Sequence, residues 1–153
     1  MTALTPEALE LSPEETMKTT IQKVALVFGI GFLAATLAGF LVTGMSNMDP
    51  NPDTAPKALG VFPVNVLHNI VHLIFGIWGI VASRSTGASR TYCKVAGVIY
   101  LVLFAAGFIF PTGFGLVPLG GTDPWLHLVL GAPLAYFGFA SRDTIPDRNT
   151  VGA

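Results

Sequence analysis

Residues 64–76 read VNVLHNIVHLIFG, an apolar run with amides and imidazoles set inside it. Asn65, His68, Asn69 and His72 fall at i, i+3, i+4 and i+7, the spacing that gathers side chains on one face of an α-helix. The wider stretch 58–83 contains no Asp, Glu, Lys or Arg. Its helix is apolar enough for a bilayer, yet one face is polar in the first half and, through Gly76 and Gly79, small in the second. Polar side chains turned toward hydrocarbon are costly, whereas inside a bundle they find partners, and glycines let a neighbouring backbone come close. The stripe therefore predicts a helix whose polar face meets other helices of the same protein.

Composition points the same way. The chain has 153 residues, of which 52% are hydrophobic and only 11% charged, with a mean hydropathy of +0.65. That is too little charge to cover a soluble domain. A net charge of -1 offers no basic stripe for nucleic acid. The single Cys93 excludes an internal disulfide and any multi-cysteine metal site, and with no base beside it the thiol reads as inert.

Three more charge-free windows, 24–48, 95–122 and 124–141, each hold an apolar run approaching the roughly 20 residues that cross a hydrocarbon core. Helices are expected near 24–43, 64–83, 94–110 and 124–141. The expected fold is all-α, a four-helix transmembrane bundle over 24–141, between a polar acidic N-terminal segment, 1–23, and a short tail, 142–153. Ser12-Pro13-Glu14-Glu15 carries a helix-start signature, so a surface helix is expected from about residue 13. The first span does not read as a cleavable signal, because acidic rather than basic residues precede it. Lys18, Lys23, Arg84, Arg90, Lys94, Arg142 and Arg148 all fall on one side of four spans, leaving only Lys57 on the other. The positive-inside rule then puts both termini in the cytoplasm, in a bacterial inner membrane or a thylakoid-type membrane. Tyr92 and Trp125 are expected near the interface, whereas Tyr100 lies too deep to anchor there.

The two halves echo each other: AGFL (38–41) and AGFI (106–109), HLIFG (72–76) and HLVLG (127–131), GIVASR (79–84) and GFASR (138–142). Two similar helical hairpins are expected. Small residues four apart mark packing seams: Gly31, Ala35 and Gly39 on the first helix, which complement the line of Gly76 and Gly79, and Gly131 and Ala135 on the fourth. In the first long connection Asp49, Asn51 and Asp53 alternate like calcium-loop ligands, but Thr54 stands where glycine is needed and Gly60 where a bidentate Glu is needed. Calcium is not expected. The other long connection, PTGFGLVPLGGTDP, is apolar enough to lie on a membrane or a partner.

The predicted topology brings His68, His72 and His127 to one depth near the outer face, with Asp123 and Asn65 at that level and Asn69 beside it. Three readings remain open. The imidazoles and amides hydrogen-bond across helices, with Asp123 capping the fourth helix; or His68, His72 and His127 bind a haem, a chlorophyll or a transition metal; or they relay protons or ions. No nucleophile elbow or phosphate loop is present, so no catalytic residue is assigned.

VNVLHNIVHLIFGIWGI (64–80) and DPWLHLVLGAPLAYFGF (123–139) resemble a family of small bacterial four-helix membrane proteins known only as a domain of unknown function. The resemblance covers about 24–141 and implies the four-span fold, with the Asn/His segments as a shared feature. It implies no activity. The expected role is a non-enzymatic accessory or scaffold subunit of a membrane complex, with a membrane-protein partner or a second copy of itself. A small transporter and a bis-histidine haem redox protein are the alternatives.

Overall fold

A computed structural model describes residues 19–140. Within them lie four helices: α1 (Thr20–Thr43), α2 (Val66–Ala82), α3 (Thr86–Ile109) and α4 (Asp123–Ala140). Two long connections leave at one end of the bundle. The first holds a small antiparallel hairpin of β1 (Lys57–Ala58) and β2 (Phe62–Pro63), where only irregular chain was expected, and the second holds a 3₁₀ turn at Gly113–Gly115. The other end is closed by the short α2–α3 turn, where Gln22 Nε2 of α1 donates to Ser83 O at 3.1 Å.

Local chemistry sets the helix starts. Thr19, in extended conformation, forms a reciprocal capping box with Gln22, so α1 begins at Thr20. The surface helix expected from about residue 13 lies outside the described residues. Ser85 accepts from Ala88 N at 3.2 Å and starts α3 at Thr86, well before the expected position near 94. In the sequence, the charges at Arg90 and Lys94 mark the start of that helix. Arg90 and Lys94 are instead carried within it, and the Lys94 ammonium lies 5.4 Å from the centre of the Phe139 ring.

α1 packs along α2 and α3 along α4, with fewer meetings between the two pairs. Backbone approach at glycine seals each pair. A Cβ on Gly29 would stand 2.7 Å from Ile80 N, and one on Gly39 would overlap the Asn69 side chain. In the other pair, a Cβ on Gly97 would meet the Ala135 backbone and one on Gly131 would stand 2.9 Å from Tyr100 Cβ. Gly39, Gly76, Gly79, Gly131 and Ala135 therefore lie at contacts between helices. Gly31 and Ala35 do not: a Cβ on Gly31 meets nothing within 4 Å, and both residues line a groove. The buried face of α1 is set by Ile21, Ala25, Gly29, Phe32, Thr36 and Gly39, a register that turns Gly31 outward.

Burial is inverted relative to a water-soluble protein. Leu41 is 78% exposed and Tyr136 67%, while Asn65, Asn69, Asp123 and all three histidines are buried. α1 and α3 are long and apolar enough to cross a membrane. α2, with 17 residues, reaches only about 26 Å. Tyr92 is not at an interface; it is wholly buried, edge-on to Trp78 at 5.1 Å. Trp125 is 57% exposed, beside Phe104 and Phe108.

The alternating acids and amides of the first long connection are used in turns. Asn47, Asp49 and Asn51 each accept, through Oδ1, from the backbone N–H two residues on, at 3.0–3.1 Å. Asp49 Oδ2 also accepts from the Thr54 hydroxyl at 2.7 Å, and that bond, with the Asn51 N–H, holds the Asp49 carboxyl below its usual range.

Candidate metal centre

Asn65 is the N-cap of α2 rather than a member of its helical stripe. Its Oδ1 accepts from His68 N at 2.9 Å, which fixes the first turn of the helix. Its Nδ2 donates to Leu116 O at 2.8 Å and reaches the Met48 and Asp49 carbonyls at 3.5 and 3.4 Å. One amide thus ties both long connections to α2. Asn69 donates to Thr43 Oγ1 of α1 at 2.9 Å. Both asparagines serve the fold, and they leave the imidazoles between them without amide partners.

The start of α4 is fixed from the same side, where Thr122 Oγ1 donates to Val61 O at 2.7 Å. Asp123 is the first residue of α4 itself, not the residue before it, and His127 follows one turn later. The His68 and His72 rings lie tilted at 56° with centres 4.5 Å apart, and the His68 ring centre lies 6.2 Å from that of His127. His127 Nδ1 and Asp123 Oδ2 approach to 3.4 Å without the alignment of a hydrogen bond. Ligand atoms of His68, Asp123 and His127 all fall within 4.8 Å of one another. Thus His68 and His72 of α2 come together with Asp123 and His127 of α4.

Their surroundings make the cluster unusual. His68, His72, His127 and Asp123 are 4%, 5%, 2% and 1% exposed. Nδ1 of each histidine and Oδ2 of Asp123 lack a hydrogen-bond partner. Native interiors rarely leave so many buried polar atoms unmatched at one place. Aromatic rings wall the site: Phe32 lies 5.7 Å from His72, and Tyr100 meets His127 edge-on at 5.1 Å. Sequence reading missed both as wall residues. The sequence marked Tyr100 only as a deep aromatic, and Phe32 carries no signal apart from its place on the buried face of α1.

The family described as "Domain of unknown function (DUF4383)" matches residues 22–140. The chain belongs to the DUF4383 family. No curated protein and no solved structure matches it. The matched span holds nearly all of the four helices and the whole His/Asp cluster of this DUF4383 chain.

The donor set suits a small ion. Imidazole nitrogen and carboxylate oxygen bind transition metals at about 2.0–2.2 Å, so tetrahedral ligands stand roughly 3.4 Å apart. Ligand atoms within 4.8 Å of one another lie within reach of that spacing. With three protein ligands, such a centre would keep an open position, and the His72 ring centre lies 4.5 Å from that of His68. Cys93, fully buried on α3, is not among the cluster's ligands.

Proposed function

We propose that this protein is a four-span integral membrane protein, not an enzyme, which holds a transition-metal ion between His68, Asp123 and His127 and serves as an accessory or scaffold subunit of a membrane complex. The observation that carries the metal reading is the convergence of three buried ligands, each with an unbonded polar atom. If the cluster were only packing, those atoms would be expected to bond to each other or to the backbone. A divalent ion satisfies them at once and balances a carboxylate that is otherwise costly to bury.

The membrane reading is supported by apolar outward faces on all four helices, including α2 with Ile74 58% exposed and α4 with Val129 65% exposed. Residues 24–141 form the spanning domain, and the echoing hairpins derive from duplication. The basic residues orient both termini to the cytoplasm of a bacterial inner or thylakoid-type membrane, with the metal near the outer face. The partner surface is the outer end, where Leu59 and Phe114 stand 79% and 76% exposed on the two long connections.

Haem and chlorophyll are less well served, since His68 and His127 are enclosed by each other, His72 and Tyr100. Ion transport is also less well supported: toward the cytoplasmic side the stripe gives way to Gly76 and Gly79, which pack against α1. The test is gentle detergent purification, followed by elemental analysis, a visible spectrum and identification of co-purifying proteins. About one transition-metal atom per chain, lost in His127→Ala, and a stoichiometric membrane partner are expected. A Soret band or pigment spectrum, or a metal-free protein, would overturn the metal reading, and lack of any partner would overturn the scaffold reading.

A further inference from the structure

α1 and α4 barely touch, and a cavity of about 580 Å³ opens between them. Small residues of α1, Gly31, Ala35 and Ala38, form one wall, and Leu126 and Leu130 of α4 form the other. The hairpin between α1 and α2 roofs it through Ala58 and Phe62. The walls are apolar. Among the described residues, the polar side chains lining the cavity are His72 and Asp123, both 95% or more buried.

We propose that this groove binds a neutral lipid-soluble amphiphile whose hydroxyl-bearing head reaches His72 and Asp123 while its apolar body lies between α1 and α4. The volume is within the usual range for small-molecule sites, which combine apolar walls with a few convergent polar groups. A hydroxyl both donates and accepts, so it can donate to the Asp123 carboxyl and pair with the His72 imidazole in either tautomer. Among the described residues no Lys or Arg lines the groove, so nothing there would balance an anionic head. Depth excludes a phosphate headgroup as well, because His72 lies about 9 Å along α2 from its first residue. Prenols, quinols and long-chain alcohols share the required chemistry. The proposal shares Asp123 with the metal reading, while the groove and its His72 wall do not depend on a bound ion.

The test is photo-cross-linking of the full chain in lipid nanodiscs. The probes are diazirine-bearing forms of a long-chain alcohol, a prenol and a short-tailed quinol, each compared with its methyl ether, together with a fatty acid of matched length. At least one hydroxyl probe should label peptides spanning 31–38 and 126–130 roughly tenfold above its methyl ether; which of them labels best identifies the source. Ala35→Trp and Ala38→Phe, which fill the groove, should each abolish labelling while cobalt(II) binding at the His/Asp cluster is kept. His127→Ala should remove cobalt binding and keep labelling. Equal labelling by the methyl ethers, stronger labelling by the fatty acid, or labelling unaffected by both groove-filling variants would overturn the proposal.

Discussion

Replacing Asn65 with alanine isolates the residue that joins α2 to both long connections. The substitution removes an N-cap, which costs about 1 kcal/mol, and the short hydrogen bond to Leu116 O, which contributes about 0.5–1.5 kcal/mol net. It also leaves a small void at a fully buried position. The expected loss is roughly 2–3 kcal/mol. Asn65→Ser keeps a capping oxygen but cannot reach Leu116, so it should lose about 1 kcal/mol. Asn65→Asp keeps the cap yet turns a carboxylate toward three carbonyl oxygens, and should be no more stable than the alanine variant. Reversible unfolding in mixed detergent–SDS micelles, followed by circular dichroism, measures all three. An alanine variant within about 0.5 kcal/mol of wild type would refute the hub. Equal losses for serine and alanine would refute the cap.

Gly29→Ala should loosen the α1–α2 pair by about 1–3 kcal/mol in the same assay, because its Cβ meets backbone atoms, whereas Gly31→Ala should be close to neutral. Leu59 and Phe114 adopt φ of 53° and 59°. Leu59→Asn and Phe114→Asn should each raise stability by up to about 1 kcal/mol while weakening recovery of the membrane partner; unchanged recovery would separate these tips from the partner surface. Asp49 titrates below its usual range because of Thr54 and the Asn51 N–H. A depressed folded-state pKa gives a contribution present above the unfolded value and lost as pH falls through the folded one. Order in the first long connection should therefore hold at neutral pH and fade in strong acid. Carbon NMR should show the Asp49 midpoint rising in Thr54→Ala, and an unmoved midpoint would contradict the assignment.

The sequence made the bundle legible because apolar length and buried polar spacing are local signals. His68, His72 and His127 could be placed at one level by counting along helices, and the coordinates bring their rings together. Boundaries were less legible. Arg90 reads as a connection residue and Lys94 as the start of the third helix, although a Ser85 cap begins that helix at Thr86 and carries it through both. The small residues of α1 show the limit of spacing arguments most clearly. Gly31, Ala35 and Gly39 share one spacing, but Gly39 packs against Asn69 while Gly31 and Ala35 border the groove. Which side of a helix is buried depends on partners distant in the chain, and no periodicity records them. Asn65 teaches the same lesson: its spacing fits the stripe, yet it precedes the helix and binds backbone on both long connections.

Cobalt(II) titration of the purified full chain tests the central claim most directly, because tetrahedral cobalt absorbs visible light far more strongly than the hydrated ion. One equivalent should develop intense d–d bands, absent in Asp123→Asn and His127→Ala and retained in Gly31→Ala. No bands, or bands that survive both ligand substitutions, would mean that His68, Asp123 and His127 do not form a metal centre.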